Sequence, residues 1–306
     1  MKNKTRQISV FVILSLLLLS SYVGLVVLRG PEGAYFDSGG VPIHYTDEGQ
    51  GIPVILVHGF AANANLNWRM PGIVDRLAKD YRVVTMDARA HGYSGKPHEA
   101  GRYGMNMADD IARLMDHLKI EKAHLVGYSM GGFIGLSFAG KYPERLLSLT
   151  QGGSGWYPKG EYPDLVKTVP ASLKAGTGLE PIVRFMERKD AWFLEQRIPV
   201  INFFLCTIND EVAMGHCFEE LETLEGTEEQ LRNNKVPSLT IMGTDDPLRK
   251  SAEWMEGLAG NHRTYWIEGA DHLTTLSDPR YVSDFTKTLT TFLAENTPKD
   301  TAVAAR

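Results

Sequence analysis

From Ala34 onward the hydrophobic positions fall into two alternating patterns. Nearly continuous apolar runs cover residues 54–58, 124–127, 146–151 and 238–243, and runs rich in β-branched and aromatic residues cover 41–47, 81–87 and 265–268. Continuous runs this short describe strands buried on both faces, as in a parallel sheet. Between and after them, residues 66–79, 106–118, 130–142, 248–258 and 279–293 place apolar side chains at helical spacing. The alternation predicts an α/β fold, a mostly parallel sheet of about eight strands with flanking helices. The rhythm breaks between Gly152 and Val236, where 165–175, 179–188 and 219–231 read as helices without strand alternation, and this predicts an inserted helical cap. Its aromatic residues Trp156, Tyr157, Phe185, Trp192, Phe193, Phe203, Phe204 and Phe218 either roof an apolar pocket or pack the cap onto the core. The expected organisation is an N-terminal segment over 1–33, an α/β core over 34–152 and 236–295, the cap over 153–235 and a frayed tail over 296–306.

One stretch does not read as part of a globular core. Residues 8–28, from Ile8 to Leu28, are uncharged and hold fifteen Val, Ile, Leu and Phe side chains. As a helix they would rise about 31 Å, close to the thickness of a bilayer's hydrocarbon core. A cleaved signal has a shorter apolar stretch, about 7–15 residues, ending in small residues at alternate positions. The segment from Ser20 to Gly24 fits that cleavage pattern poorly. An uncleaved membrane anchor is therefore expected, with removal as a signal segment the alternative. Lys2, Lys4 and Arg6 before the span, against Arg29 after it, place the body on the extracytoplasmic side. Signal cleavage would instead leave it secreted.

Composition narrows the possible partners. The 306 residues carry 32 basic and 37 acidic side chains, a net charge of −5, and 43% are hydrophobic. These values suit one globular domain with an insertion and exclude a disordered or disulfide-stapled chain. No lysine or arginine run forms a basic stripe, so nucleic acid is not an expected partner and a small molecule is. Cys206 and Cys217 match no CxxC spacing and are either buried thiols or one bridge. No HExxH or histidine cluster suggests a metal. The glycines near Ser129 fit neither a phosphate-binding P-loop nor GxGxxG, so no cofactor is expected.

The chemical signal is Gly127-Tyr128-Ser129-Met130-Gly131-Gly132, which follows an apolar run and opens a helical pattern. A GxSxG spacing at such a strand-to-helix turn forces the central residue into strained geometry and presents its hydroxyl, while side chains at Gly127 and Gly131 would clash. A serine hydroxyl becomes nucleophilic only beside a base, which a carboxylate must orient. In an open α/β sheet reactive groups collect beyond the carboxyl ends of strands. Of nine histidines, His272 qualifies, because it sits in the loop after residues 265–268, whereas His262 precedes its strand and His117 lies on a helix face. For the carboxylate, the loop after residues 238–243 offers Asp245 and Asp246, one of which could instead cap the following helix. The order serine, aspartate, histidine is that of an α/β-hydrolase.

Several separated motifs carry a resemblance to the α/β-hydrolase fold superfamily, and to its serine esterases and lipases, from about Ala34 to Leu293. His58-Gly59-Phe60 resembles the family's oxyanion loop, the stretch from Asp87 to Ser94 resembles D-x-R-G-H-G-x-S, and Gly127 to Gly132 resembles the nucleophile elbow. Gly243-Thr244-Asp245-Asp246 resembles G-x-x-D, which selects Asp246, and Gly269-Ala270-Asp271-His272 resembles G-x-G-H. Two positions depart from the pattern: Ala90 and Asp271 stand where glycine is usual. The resemblance implies that His58 and His91 are structural, and that the backbone N–H groups of Phe60 and Met130 form the oxyanion hole. It implies catalysis by Ser129, Asp246 and His272 through an acyl-enzyme, with small apolar or lipid-like carboxylic esters as the expected substrates. Carbon–carbon bond hydrolysis or perhydrolysis by the same triad, and a non-catalytic ligand-binding module, are the alternatives.

Overall fold

The computed structural model of the protein describes residues 32–186, 194–224, 226–258 and 260–298. One sheet contains eight strands: β1 Ala34–Asp37, β2 Pro42–Gly49, β3 Pro53–Val57, β4 Arg82–Met86, β5 Ala123–Tyr128, β6 Leu146–Gly152, β7 Ser238–Gly243 and β8 His262–Ile267. Their spatial order is β1-β2-β4-β3-β5-β6-β7-β8. The pairings β1–β2 and β2–β4 are antiparallel, and every pairing from β4 to β8 is parallel. Alternate residues of each central strand face opposite layers. Ile55, Val57 and Leu125 pack with Ile111, Ile134 and Phe138 on one side. Val54, Leu56 and Val126 pack with Trp68, Leu77, Phe285 and Leu289 on the other. Each such side chain fully buried stabilises the fold by roughly 1.5–3 kcal/mol.

The helices are α1 Ile73–Leu77, α2 Met105–His117, α3 Met130–Lys141, α4 Leu165–Lys174, α5 Glu180–Met186, α6 Leu194–Ile208, α7 Glu211–Glu219, α8 Glu228–Asn233, α9 Arg249–Met255 and α10 Pro279–Glu295. The helix expected over 66–79 is split into a π-type turn, Asn65–Arg69, and α1, because Pro71 is followed by Gly72 at φ 77°. The helix expected over 219–231 is also split, into a 3-10 turn, Glu220–Leu224, and α8, which Thr227 caps through a reciprocal capping box with Gln230. Helices α6 and α7 were not expected; α6 has Pro199 inside it, and α7 starts where the Asp210 carboxylate accepts the Ala213 N–H. Cys206 and Cys217 are free thiols, so the bridge alternative is not taken.

Parallel order brings the ends of β3, β5, β6, β7 and β8 to one edge, each beside the next. The helical stretch between β6 and β7 lies over that edge. Phe218 of α7 meets Phe60 edge-to-face at 4.7 Å between ring centroids. The Glu220 carboxylate accepts the N–H groups of Gly101 and Tyr103 at 2.5 and 3.0 Å. The Trp156 indole donates to Gly226 O at 2.7 Å.

The expectation of a membrane anchor, with an extracytoplasmic body, is not met among the described residues. Among the described residues no helix is long and apolar enough to cross a membrane. The longest of them, α10, has 17 residues and carries charged side chains. At about 1.5 Å per residue it rises about 25 Å, short of a bilayer core of about 30 Å. The segment from Ile8 to Leu28, on which the anchor was placed, lies outside the described residues.

Candidate active site

β5 ends at Tyr128 and α3 begins at Met130, so Ser129 alone makes the turn, at φ 52° and ψ −116°. That left-handed backbone is costly for any residue with a Cβ and persists only where the surroundings enforce it. The neighbouring glycines leave the room the turn requires. A Cβ on Gly127 would lie 2.1 Å from Gly131 O, and one on Gly131 would lie 2.2 Å from Val57 O at the end of β3. The Ser129 N–H donates to Gly152 O of β6 at 2.7 Å.

His272 lies in the loop after β8, and its Nδ1 is 2.8 Å from Asp246 Oδ2. Both side chains are buried. Asp246 also accepts the Leu248 N–H on Oδ1 at 2.8 Å, so a single carboxylate serves the imidazole and the start of the next turn. Asp245 is exposed. Tyr128, which immediately precedes the serine, donates its hydroxyl to the His272 carbonyl at 2.6 Å. Gly153, at φ 57°, leaves space for the ring, since a Cβ there would lie 3.1 Å from His272 Cε1. Serine and imidazole are thus held around the same short stretch, Gly152-Gly153. The Asp271 carboxylate does not join them, because its Oδ1 accepts the N–H groups of Leu273 and Thr274 at 3.0 and 2.7 Å and so fixes the loop.

The loop after β3 reaches the serine as well. A Cβ on Gly59 would come within 3.2 Å of Ser129 Cβ, and the Gly59 N–H is held by Asn67 Oδ1 at 2.7 Å. Phe60 and Met130, the expected oxyanion donors, line the same cavity as Ser129. His58 accepts the Ala88 N–H on Nε2 at 3.0 Å and donates from Nδ1 to Gly59 O at 2.8 Å, so both ring nitrogens tie loops. His91 donates from Nδ1 to Arg89 O at 2.9 Å. Burial, joined by the neighbouring His58, pushes its imidazole down to about 3, which keeps it neutral. Burial likewise lowers His58. For Asp87 burial acts upward, but the His44 hydrogen bond, the nearby His58 and the amides of Ala64 and Tyr93 outweigh it and hold the carboxyl below its usual range. The departure at Ala90 falls at φ 72°, the conformation for which glycine is usual.

The serine is more enclosed than an exposed elbow predicts: it is 9% exposed and opens into a cavity of about 70 Å³. Tyr157 and Phe218 line that cavity, whereas Trp156 and Phe185 pack in the core, Phe204 is half-buried, Phe203 is exposed, and Trp192 and Phe193 lie outside the described residues. A larger depression of about 850 Å³ runs along α10 past Met70, and none of Ser129, Asp246 and His272 lines it. Motif reading missed Tyr128, Gly153 and Asn67 as parts of the site. Asn67 carries no local signal, because its contact with Gly59 arises only through the fold.

Residues 52–171 match a family model described as alpha/beta hydrolase fold. The chain is 36% identical over 139 residues to the dihydrolipoyllysine-residue acetyltransferase component of the acetoin cleaving system of Pseudomonas putida, covering 44% of this chain and 36% of that one. It is 37% identical over 130 residues to 2-hydroxymuconate semialdehyde hydrolase of Pseudomonas sp. (strain CF600), covering 41% and 45% respectively. It is 30% identical over 217 residues to a putative 2-succinyl-6-hydroxy-2,4-cyclohexadiene-1-carboxylate synthase of Bacillus subtilis (strain 168), covering 68% of this chain and 70% of that one. The match thus spans less than half the length of the first two relatives. A thermophilic esterase from Thermogutta terrifontis superposes with a TM-score of 0.71 at 23% identity, covering 86% of this chain and 97% of that one.

Proposed function

Because the chain belongs to the α/β-hydrolase fold family, we propose that it hydrolyses carboxylic esters by acyl transfer through Ser129, with His272 as base and Asp246 as its orienting carboxylate. The observation that carries this reading is the Nδ1 to Oδ2 contact of 2.8 Å between His272 and Asp246. With Nδ1–H donated to the carboxylate, Nε2 is the ring nitrogen that accepts the serine proton. Ser129 Oγ attacks the ester carbonyl carbon, the carbonyl oxygen becomes an oxyanion facing the Phe60 and Met130 N–H groups, and the C–O bond to the alcohol breaks as His272 returns the proton. Water then attacks the acyl-serine by the same route and frees the acid. An oxyanion donor of this kind contributes about 3–4 kcal/mol to transition-state stabilisation.

Carbon–carbon bond hydrolysis by the same three groups is the second reading. The identity to 2-hydroxymuconate semialdehyde hydrolase favours it, over 45% of that relative. Ester turnover by the wild type and by Ser129→Ala tests the first reading. The variant is expected to lose about 10⁴–10⁶ in kcat while its circular dichroism and Tm are unchanged. Wild-type protein that turns over ring-cleavage dienoates and no ester would favour the second.

A further inference from the structure

The ester reading dictates what must occupy the space above Ser129. Through the acyl-enzyme stage the acyl group is bonded to the serine oxygen while the alcohol leaves, so the cavity must hold the acyl group for both steps. The cavity measures about 70 Å³. A single water needs only about 10–15 Å³, so this is room for a short acyl group and not for a long one. Pockets for drug-sized ligands measure about 300–1,000 Å³.

The walls are fixed by packing. Phe60 and Phe218 meet edge-to-face at 4.7 Å. Phe133 stacks on Tyr157 at 6.0 Å, and Tyr157 meets Trp254 at 5.4 Å. Phe218 and Tyr157 are both buried. Among the described residues lining the cavity, the hydroxyls of Ser129, Tyr157 and Tyr162 are the only side-chain oxygen or nitrogen atoms, and none of the side chains is charged. A carboxylate carried on the acyl chain would meet no cation among these described residues, a costly arrangement.

From this geometry we propose that the enzyme selects esters of short, uncharged acyl groups, from acetyl to about pentanoyl, with the Phe60–Phe218 wall setting the upper length. The selectivity rests on ester hydrolysis at Ser129. It is tested by kcat/KM for p-nitrophenyl esters from acetate to decanoate, and for monomethyl succinate against methyl butyrate. Turnover is expected to peak at or below pentanoate and to fall at least about tenfold by octanoate, because overfilling a packed cavity forces its walls apart. It is expected to drop at least about 100-fold for the succinate, whose carboxylate would be desolvated with no cation among the described lining residues. Phe218→Ala, and independently Leu221→Ala, should move the acyl optimum to longer chains. Equal or faster turnover of octanoate and decanoate overturns the selectivity and leaves hydrolysis at Ser129 standing. Failure to turn over any ester overturns the hydrolytic reading itself.

Discussion

His272 is held at several points: the Asp246 carboxylate takes its Nδ1, the Tyr128 hydroxyl takes its main-chain carbonyl, and Gly153 leaves space beside Cε1. In the proposed mechanism only the first of these enters the charge balance, since the imidazolium would face Asp246, with Tyr128 as a positioning residue. Asp246→Asn is therefore expected to lower kcat by about 10⁴, because an amide favours the wrong tautomer of the ring. Asp245→Asn, at an exposed position, should stay within about twofold, the effect of an ordinary surface change. Steady-state kinetics of the two variants at one pH checks this, and the reverse ranking would move the orienting acid by one residue. The loop positions of Ser129, Asp246 and His272 at strand ends were legible because each follows a run of strand-forming residues. Tyr128 and Asn67 were not, because a hydroxyl reaching a carbonyl 144 positions away along the chain leaves no local pattern. Asp271, the departure that bore on the base, turns out to serve its own loop amides.

At the scale of elements, the strands buried throughout were the easiest to read. β5 and β7 are buried at every position, and β3 at all but its first. β1 escaped because it is an edge strand in which only Phe36 is buried, so neither a period nor a continuous run marks it. α6 escaped because an interior Pro199 argues against a helix locally. The elbow shows why helix propensity is a poor guide there: α3 opens with Met130-Gly131-Gly132, where packing of Gly131 against β3 and of Gly132 against Ser154 requires those glycines. Gly131→Ala should destabilise the protein by several kcal/mol or prevent folding, since its methyl would meet Val57 O at 2.2 Å. Gly140→Ala, in the same helix with nothing within 4 Å of the new methyl, should instead stabilise by about 0.5–1 kcal/mol. Urea unfolding of the pair measures both, and equal shifts would contradict the packing described for the elbow.

For the whole molecule, buried and half-buried neutral histidines tie stability to pH. Burial pushes His91 down to about 3, and His124 and His262 each to about 4, from an ordinary value of 6.5. Between those values and about 6.5 the unfolded chain binds protons that the folded chain refuses, so stability is full above about pH 6.5 and falls as the solution is acidified. Each such group contributes up to about 1.4 kcal/mol per pH unit within its window. The urea midpoint should therefore drop between about pH 7 and about pH 4.5; a midpoint that is level or rises over that range would contradict the burial of these rings. At this scale the sheet order brings five strand ends together, and through them a serine, an imidazole and a carboxylate far apart in sequence. Intact-protein mass spectrometry after incubation with a fluorophosphonate asks whether that serine is a nucleophile. One adduct, mapped to the peptide containing Ser129 and absent from Ser129→Ala, is the predicted result; an unlabelled wild-type protein, or an adduct that persists in Ser129→Ala, would contradict it.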